Sequence, residues 1–282
     1  MKKNSFPEWL KKRLPAEDEK RLVKDIIGEL QINTVCQSAE CPNQRECFAN
    51  GTATFLILGN SCTRSCKFCA IHSSAPEKVD TKEPEKIAEA VRKLNLQYVI
   101  ITSVTRDDLE YGGVDQFIKT INEIKKVSAD ITVEILTPDF KGNFKSIKKL
   151  AQTEFEVFNH NIETVPGLYD IIRPEADYYR SLDILYLMKS LKEKISCKSG
   201  IMLGLGEEKE EVIQVMKDLR DNQVEIITIG QYLQPSAEHF AVKDFITPAQ
   251  FAEYKSIGIK MGFKSVIVGP FVRSSYKAAE MI

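Results

Sequence analysis

The sequence predicts an α/β protein, a mainly parallel sheet covered by helices and arranged as a partial (β/α)6-type TIM barrel with an N-terminal extension and a C-terminal tail. Three observations carry that expectation. From about position 52 onward, short β-rich apolar runs alternate with amphipathic helical stretches about six times, the pattern of parallel strands joined by crossover helices. Five consecutive strand ends run into polar clusters, as in folds whose chemistry sits in loops at the C-terminal edge of the strands. The first 50 or so residues lack the alternation. An open doubly wound sheet would alternate in the same way, but five polar strand ends converging on one mouth favour the barrel.

In chain order, strands are expected at Ala53–Leu58, Tyr98–Thr102, Ile131–Leu136, Phe155–Phe158, Ser199–Leu203, Ile226–Ile229 and Ser265–Val268. Ile87, Val91 and Leu94 mark a helix that starts near Pro84, where a missing N–H costs little. Phe117, Ile118, Ile121 and Ile124 mark a second helix, and Val212, Val215, Met216 and Leu219 a third. Thr247-Pro248 reads as a cap followed by a first-turn proline. The polar strand ends are Thr102 to Asp108, Thr137-Pro138-Asp139, Asn159-His160-Asn161, Gly204 to Glu207 and Gly230-Gln231-Tyr232. This divides the chain into an extension over 1–50, a barrel over 51–270 and a tail over 271–282.

The 282 residues are 43% hydrophobic and 28% charged with a formal net charge of −1, enough for a sizeable core and no reason to expect nucleic acid or an acidic membrane as partner. The Lys-rich start at Lys2, Lys3, Lys11, Lys12 and Arg13 is balanced by Glu17, Asp18 and Glu19 and reads as a solvated or partner-facing arm. No apolar run is long enough to span a bilayer, and the N-terminus lacks the pattern of a signal peptide. A cytoplasmic protein with reduced thiols is expected, and its seven cysteines, odd in number and tightly spaced, point to metal rather than disulfides.

Six of those cysteines form two triplets, Cys36-x4-Cys41-x5-Cys47 and Cys62-x3-Cys66-x2-Cys69. A cubic 4Fe–4S cluster has four irons, so three thiolates leave one iron open to a substrate, a cofactor or an unusual fourth ligand. The second triplet directly follows the first strand and therefore sits in a loop at the mouth. Zinc is the alternative, but structural zinc takes four ligands, usually from paired C-x2-C knuckles. His72 would have to be the fourth, and it reads better as a loop histidine. The first triplet alone is compatible with a zinc knuckle, a cluster or coincidence.

The C-x3-C-x2-C spacing resembles the signature of the radical S-adenosylmethionine (SAM) enzymes. That resemblance implies a cluster whose open iron binds the amino and carboxylate groups of SAM and cleaves it to a radical that abstracts hydrogen from an unactivated carbon. Both triplets together, with the tail Arg273-Ser274-Ser275-Tyr276, resemble the lipoyl synthase family nearly end to end. Shared stretches include Cys41-Pro42-Asn43, Gly51 to Phe55, Arg106 to Leu109, Asn159-His160-Asn161 with Glu163-Thr164, and Gly230 to Pro235. The resemblance implies a second, auxiliary 4Fe–4S cluster on Cys36, Cys41 and Cys47, capped by a serine oxygen. Ser275 aligns as that ligand, with Ser274 as fallback. An alkoxide is a hard partner for a soft site and is the ligand expected to leave. The activity implied is insertion of two sulfurs, at carbons 6 and 8 of a protein-bound octanoyl-lysine, using two SAM per product and the auxiliary cluster as sulfur donor. Implied partners are an octanoylated lipoyl carrier domain (the H protein of glycine cleavage or an acyltransferase subunit of a 2-oxoacid dehydrogenase), an external one-electron reductant and a cluster-repair protein.

Arg173 is the candidate to hold a carboxylate or carbonyl near the reaction, against a surface ion pair. Ser103 and Gln231, at strand ends, are candidates to contact SAM, as are Asn159 and Asn161, although strand alternation turns successive side chains to opposite faces. His160 between them reads as buried and inert. Gly204 to Glu207 resembles the glycine-rich strand end that lets backbone approach an adenine, and Cys197 reads as a free thiol. Lys277 stands where the family usually has histidine, and Glu110-Tyr111 precede Gly112-Gly113 where an acidic residue and a glycine are usual. Two other readings stay open. One is a different radical SAM enzyme with an auxiliary cluster, performing biotin-synthase-like sulfur insertion or dehydrogenation. The other is a non-catalytic protein stapled by zinc or clusters.

Overall fold

Every expected β-rich run forms a strand, and the amphipathic stripes pack over them. The computed structural model describes residues 6–12 and 21–282. The basic residues Lys2, Lys3 and Arg13 and the acidic Glu17, Asp18 and Glu19 of the expected arm lie outside the described residues. The extension contributes α1 (Arg21–Leu30), β1 (Asn33–Thr34), α2 (Val35–Ser38) and α3 (Gln44–Ala49). The barrel then runs through β2 (Thr54–Ile57), β3 (Ser61–Cys62), β4 (His72–Ser73), α4 (Glu83–Lys93), β5 (Tyr98–Ser103), α5 (Val114–Val127), β6 (Thr132–Leu136) and α6 (Phe144–Ala151). It continues with β7 (Val157–Asn159), α7 (Tyr169–Ile172), α8 (Tyr178–Leu191), β8 (Ser196–Leu203), α9 (Lys209–Asp221), β9 (Ile226–Gln231), α10 (Pro248–Lys260) and β10 (Ser265–Gly269).

The main sheet has the order β1-β2-β5-β6-β7-β8-β9-β10. All its neighbours are parallel except β1, which lies antiparallel on β2. Six helical crossovers therefore link seven parallel strands, and the sheet ends at β1 and β10 without closing. The alternation of side chains sorts each strand into two faces. In β5, Val99 and Ile101 join the main core with Ile87 and Val91 of α4, while Tyr98 and Ile100 join a separate interior cluster with Ile226, Ala278 and Met281. The last two belong to a 3-10 turn, Ala278–Met281, so the end of the tail packs inside the barrel.

The extension is not a separate body. Val23, Ile26 and Ile27 of α1 and Phe48 of α3 share one continuous core with the barrel, and each buried aliphatic side chain contributes roughly 1.5–3 kcal/mol. Among the described residues no helix is long and apolar enough to cross a membrane. The sequence expectation starts the fifth parallel strand at Ser199, but β8 begins at Ser196. Lys198 is buried inside the barrel, where its ammonium meets both oxygens of the buried Glu134 at 3.0 and 3.1 Å.

Candidate active site

One cavity of about 870 Å³ opens at the C-terminal edge of the strands and is lined by all six triplet cysteines. Its walls are alternate, inward-facing residues of the strands: Leu56, Ile100 and Thr102, Leu136, Gly200 and Met202, Thr228 and Gly230.

The loop carrying Cys62, Cys66 and Cys69 is tied to four neighbouring segments. Thr63 donates its N–H and hydroxyl to the Thr105 carbonyl at 3.1 and 3.0 Å, and Lys67 N–H reaches the Ile172 carbonyl at 2.9 Å. Arg64, between the first two thiols, forks onto Asp107 at 2.7 and 3.0 Å and reaches Asp139 at 2.6 Å. Asp139 also accepts from Arg180 at 2.8 Å. Burial pushes the Asp139 carboxyl upward, but the Arg64 hydrogen bond and charge outweigh it and hold the group well below the usual carboxylate range. On the far side, His239 Nε2 lies 3.1 Å from the Cys69 carbonyl and Phe240 N–H donates to Lys67. His72, in β4, is exposed and outside the lining of the cavity.

Cys36 lies in α2, whose first turn is capped by the Thr34 hydroxyl, and Cys47 lies in α3. Cys41 N–H bonds back to the Cys36 carbonyl at 3.1 Å, which curls the stretch into one small coil. Burial pushes Cys36 and Cys69 up to about 12 and Cys47 up to about 11, with neighbouring thiols of the same triplet adding to each. Burial raises Cys66 also, partly opposed by the charge of Arg173. Such thiols are protonated without metal, so assembling a cluster on them releases protons. Among the described residues no three His, Cys, Asp or Glu side chains surround a point that would hold a single ion, whereas a cube takes its thiolates at separate corners. Three thiols in each triplet match three corners of such a cube, whereas structural zinc takes four ligands.

Residues lining the cavity carry buried polar atoms with no partner: Ser103 Oγ, Thr137 Oγ1, His160 Nε2, Asn161 Oδ1 and Arg173 Nε. A buried polar atom left unpaired is costly, so these atoms fit a polar guest such as SAM. Arg173 is buried; its Nη1 donates to the Asn161 and Ile162 carbonyls at 3.1 Å each, which aims the rest of the guanidinium. His160 is buried, as the sequence reading has it, and also lines the cavity. Its Nδ1 faces the Thr137 carbonyl at 2.8 Å and therefore carries the proton, leaving Nε2 as an acceptor. Burial, helped by the charge of Arg173, lowers its pKa to about 4 and keeps it neutral.

Two expected contacts sit elsewhere. Asn159 points to the interior pair, donating to Glu134 at 2.8 Å, and is absent from the lining. Gln231 is buried, its amide nitrogen 3.0 Å from the Leu203, Tyr232 and Asp244 carbonyls and its oxygen accepting from Ile246 N–H at 2.8 Å. It braces loops and has no group left for a cofactor. Gly204 serves the same brace, since a Cβ there would stand 2.3 Å from that amide and 2.4 Å from the Asp244 carbonyl. Cys197 is a fully buried core thiol, pushed up to about 12 by burial.

The tail enters the cavity opposite the first triplet. Ser274 accepts from Asn161 Nδ2 at 3.2 Å, and the same nitrogen donates to Glu163 at 3.1 Å. Ser275 lines the cavity, and among the described residues no hydrogen bond holds its hydroxyl. Gly230 makes the approach possible: a Cβ there would lie 2.1 Å from the Val272 carbonyl. Glu163, the buried-side partner of Asn161, was visible in the sequence only as part of the Asn159-to-Thr164 stretch, with nothing to assign it a role.

Residues 56–219 match the model of the Radical SAM superfamily. The chain is 54% identical to a lipoyl synthase of Caldanaerobacter subterraneus subsp. tengcongensis, over 96% of this chain and 95% of that protein. It is 49% identical to a lipoyl synthase of Caldicellulosiruptor saccharolyticus, over 99% and 98%. Among solved structures it resembles methylornithine synthase (PylB), with a TM-score of 0.57 at 13% identity, covering 90% of this chain and 79% of that one. The last is a likeness of fold alone.

Proposed function

The chain belongs to the lipoyl synthase family of the radical SAM superfamily, and on that premise we propose that it inserts sulfur at carbons 6 and 8 of a protein-bound octanoyl-lysine, in lipoate biosynthesis. The observation that carries the finer reading is that both cysteine triplets and Ser275 line one cavity with apolar walls. When bound, the two clusters and SAM supply the electron, the hydrogen abstraction and the sulfur. Cys62, Cys66 and Cys69 hold the cluster that binds SAM. Ser103, Thr137, His160 and Asn161 offer the polar atoms that receive the cofactor or the substrate amide. Arg173, with an unpaired Nε, holds a carbonyl or carboxylate beside Cys66. Leu56, Ile100, Leu136 and Met202 supply an apolar bed for an eight-carbon chain. Cys36, Cys41 and Cys47 hold the auxiliary cluster, with Ser275 as the labile fourth ligand. The partners are an octanoylated carrier domain, an external reductant and a repair system for the auxiliary cluster.

The test incubates anaerobically reconstituted protein with SAM, a strong reductant and an octanoyl-lysine peptide. Mass spectrometry is expected to show two sulfurs gained and two hydrogens lost on the octanoyl group. Deoxyadenosine release without sulfur transfer would instead indicate a dehydrogenase or another radical chemistry.

A further inference from the structure

Lys12 joins three segments that are far apart in sequence. Its ammonium donates to Asn43 Oδ1 at 2.8 Å, pairs with Glu46 Oε2, and lies over the rings of Phe271 and Tyr276 at 5.3 and 5.1 Å. The other Glu46 oxygen accepts from the Tyr276 hydroxyl at 2.6 Å, and Asn43 Nδ2 donates to the Phe271 carbonyl at 2.6 Å. Asn43 and Glu46 lie between Cys41 and Cys47, so the stretch that carries the first triplet also grips the tail on both sides of Ser274 and Ser275. Lys12 and Glu46 are both mostly shielded, with side chains 20% and 23% exposed, which strengthens the pair relative to one on the open surface. Its charge also reaches Cys47, opposing the burial that raises that thiol.

We propose that Lys12, Asn43 and Glu46 form a clamp on Phe271 and Tyr276 that positions Ser275 at the first triplet, with Lys12 as its closing element. The inference rests on reading Ser275 as the auxiliary ligand. Without the Lys12 cation, Glu46 loses its counter-charge, the Asn43 Oδ1 loses the donor it accepts from, and both rings lose their cation. Each of these loosens the tail and makes the serine corner open more readily. Lys12 is thus a positioning residue, setting how firmly the sulfur-donating site is closed.

The experiment compares the parent chain with Lys12→Met and Lys12→Arg. In the cluster-free protein, hydrogen exchange of the backbone amides of 272–281 is expected to accelerate about tenfold in Lys12→Met, the scale of one shielded ion pair with two cation–π contacts, and to return toward parent in Lys12→Arg. In the reconstituted protein, a chelator is expected to remove iron from the first triplet faster in Lys12→Met while iron on Cys62, Cys66 and Cys69 leaves at the parent rate. Unchanged tail exchange, or equal acceleration at both clusters, would overturn the clamp. A parent protein that holds iron on the second triplet alone would sink the serine-ligand reading; tail exchange in the cluster-free chain would still decide the clamp separately.

Discussion

Arg64 sits inside the second triplet and is almost wholly buried, balanced by Asp107 and Asp139. Removing one partner of a buried pair leaves an uncompensated charge. Asp139→Asn is therefore expected to cost about 3–5 kcal/mol in denaturant unfolding and to lower iron on Cys62, Cys66 and Cys69 while sparing the first triplet. His160 gives a pH test. Its folded pKa of about 4 lies below the unfolded value of 6.5, so the unfolded chain takes up the proton first. Stability is full above pH 6.5 and is lost as pH falls toward 4, by about 3 kcal/mol. His160→Gln is expected to flatten that part of the stability profile, and an unchanged slope would contradict the assignment. At Ser275, replacement by Cys is expected to retain iron and sulfide but reduce sulfur insertion about tenfold or more, because thiolate suits the soft site better and holds the corner shut. The two triplets stand out in the sequence as candidate ligands by their spacing, and the fold brings all six thiols to one cavity. Gln231 and Asn159 lie outside the cavity lining, a difference the sequence does not carry because a polar residue at a strand end looks the same whether it faces a guest or braces a loop.

Among the elements, β8 and the tail show what sequence periodicity misses. Ser196, Cys197 and Lys198 break the apolar run, yet they pair with β7 in regular register because Glu134 neutralises Lys198 inside the barrel. The partner is 64 residues away, and no local pattern reveals it. The helices α4, α5 and α9 were legible because their stripes face the core at helical period, and α10 because Thr247-Pro248 reads as a cap and first-turn proline, to which the structure adds a capping box with Gln250. The tail's docking was not legible in the sequence, where Gly230 counts only as part of the polar strand end Gly230-Gln231-Tyr232. Gly230→Ala is expected to displace the Val272 carbonyl and unseat Ser275, abolishing sulfur insertion while deoxyadenosine formation continues at near the parent rate. Loss of both activities together would show that Gly230 supports the whole barrel instead.

At the scale of the molecule, the extension and the open barrel share one core, the end of the tail packs in a separate interior cluster, and all three contribute to the cavity. That arrangement allows two chemically similar triplets to do unequal work. The loop of the second triplet is tied to four neighbouring segments through Thr63, Arg64, Lys67 and the 239–240 stretch; the first, on the proposed reading, is closed by a tail held by a few side chains. The central claim is that the first triplet carries a reagent and the second a catalyst. The most direct measurement reconstitutes the protein with isotopically heavy sulfide, removes the excess, and follows a single turnover on octanoyl-lysine peptide in the presence of light sulfide. Heavy isotope in both inserted sulfurs, with no more than one product per chain, is the predicted result; light sulfur in the product, or many turnovers without loss of the auxiliary cluster, would contradict it.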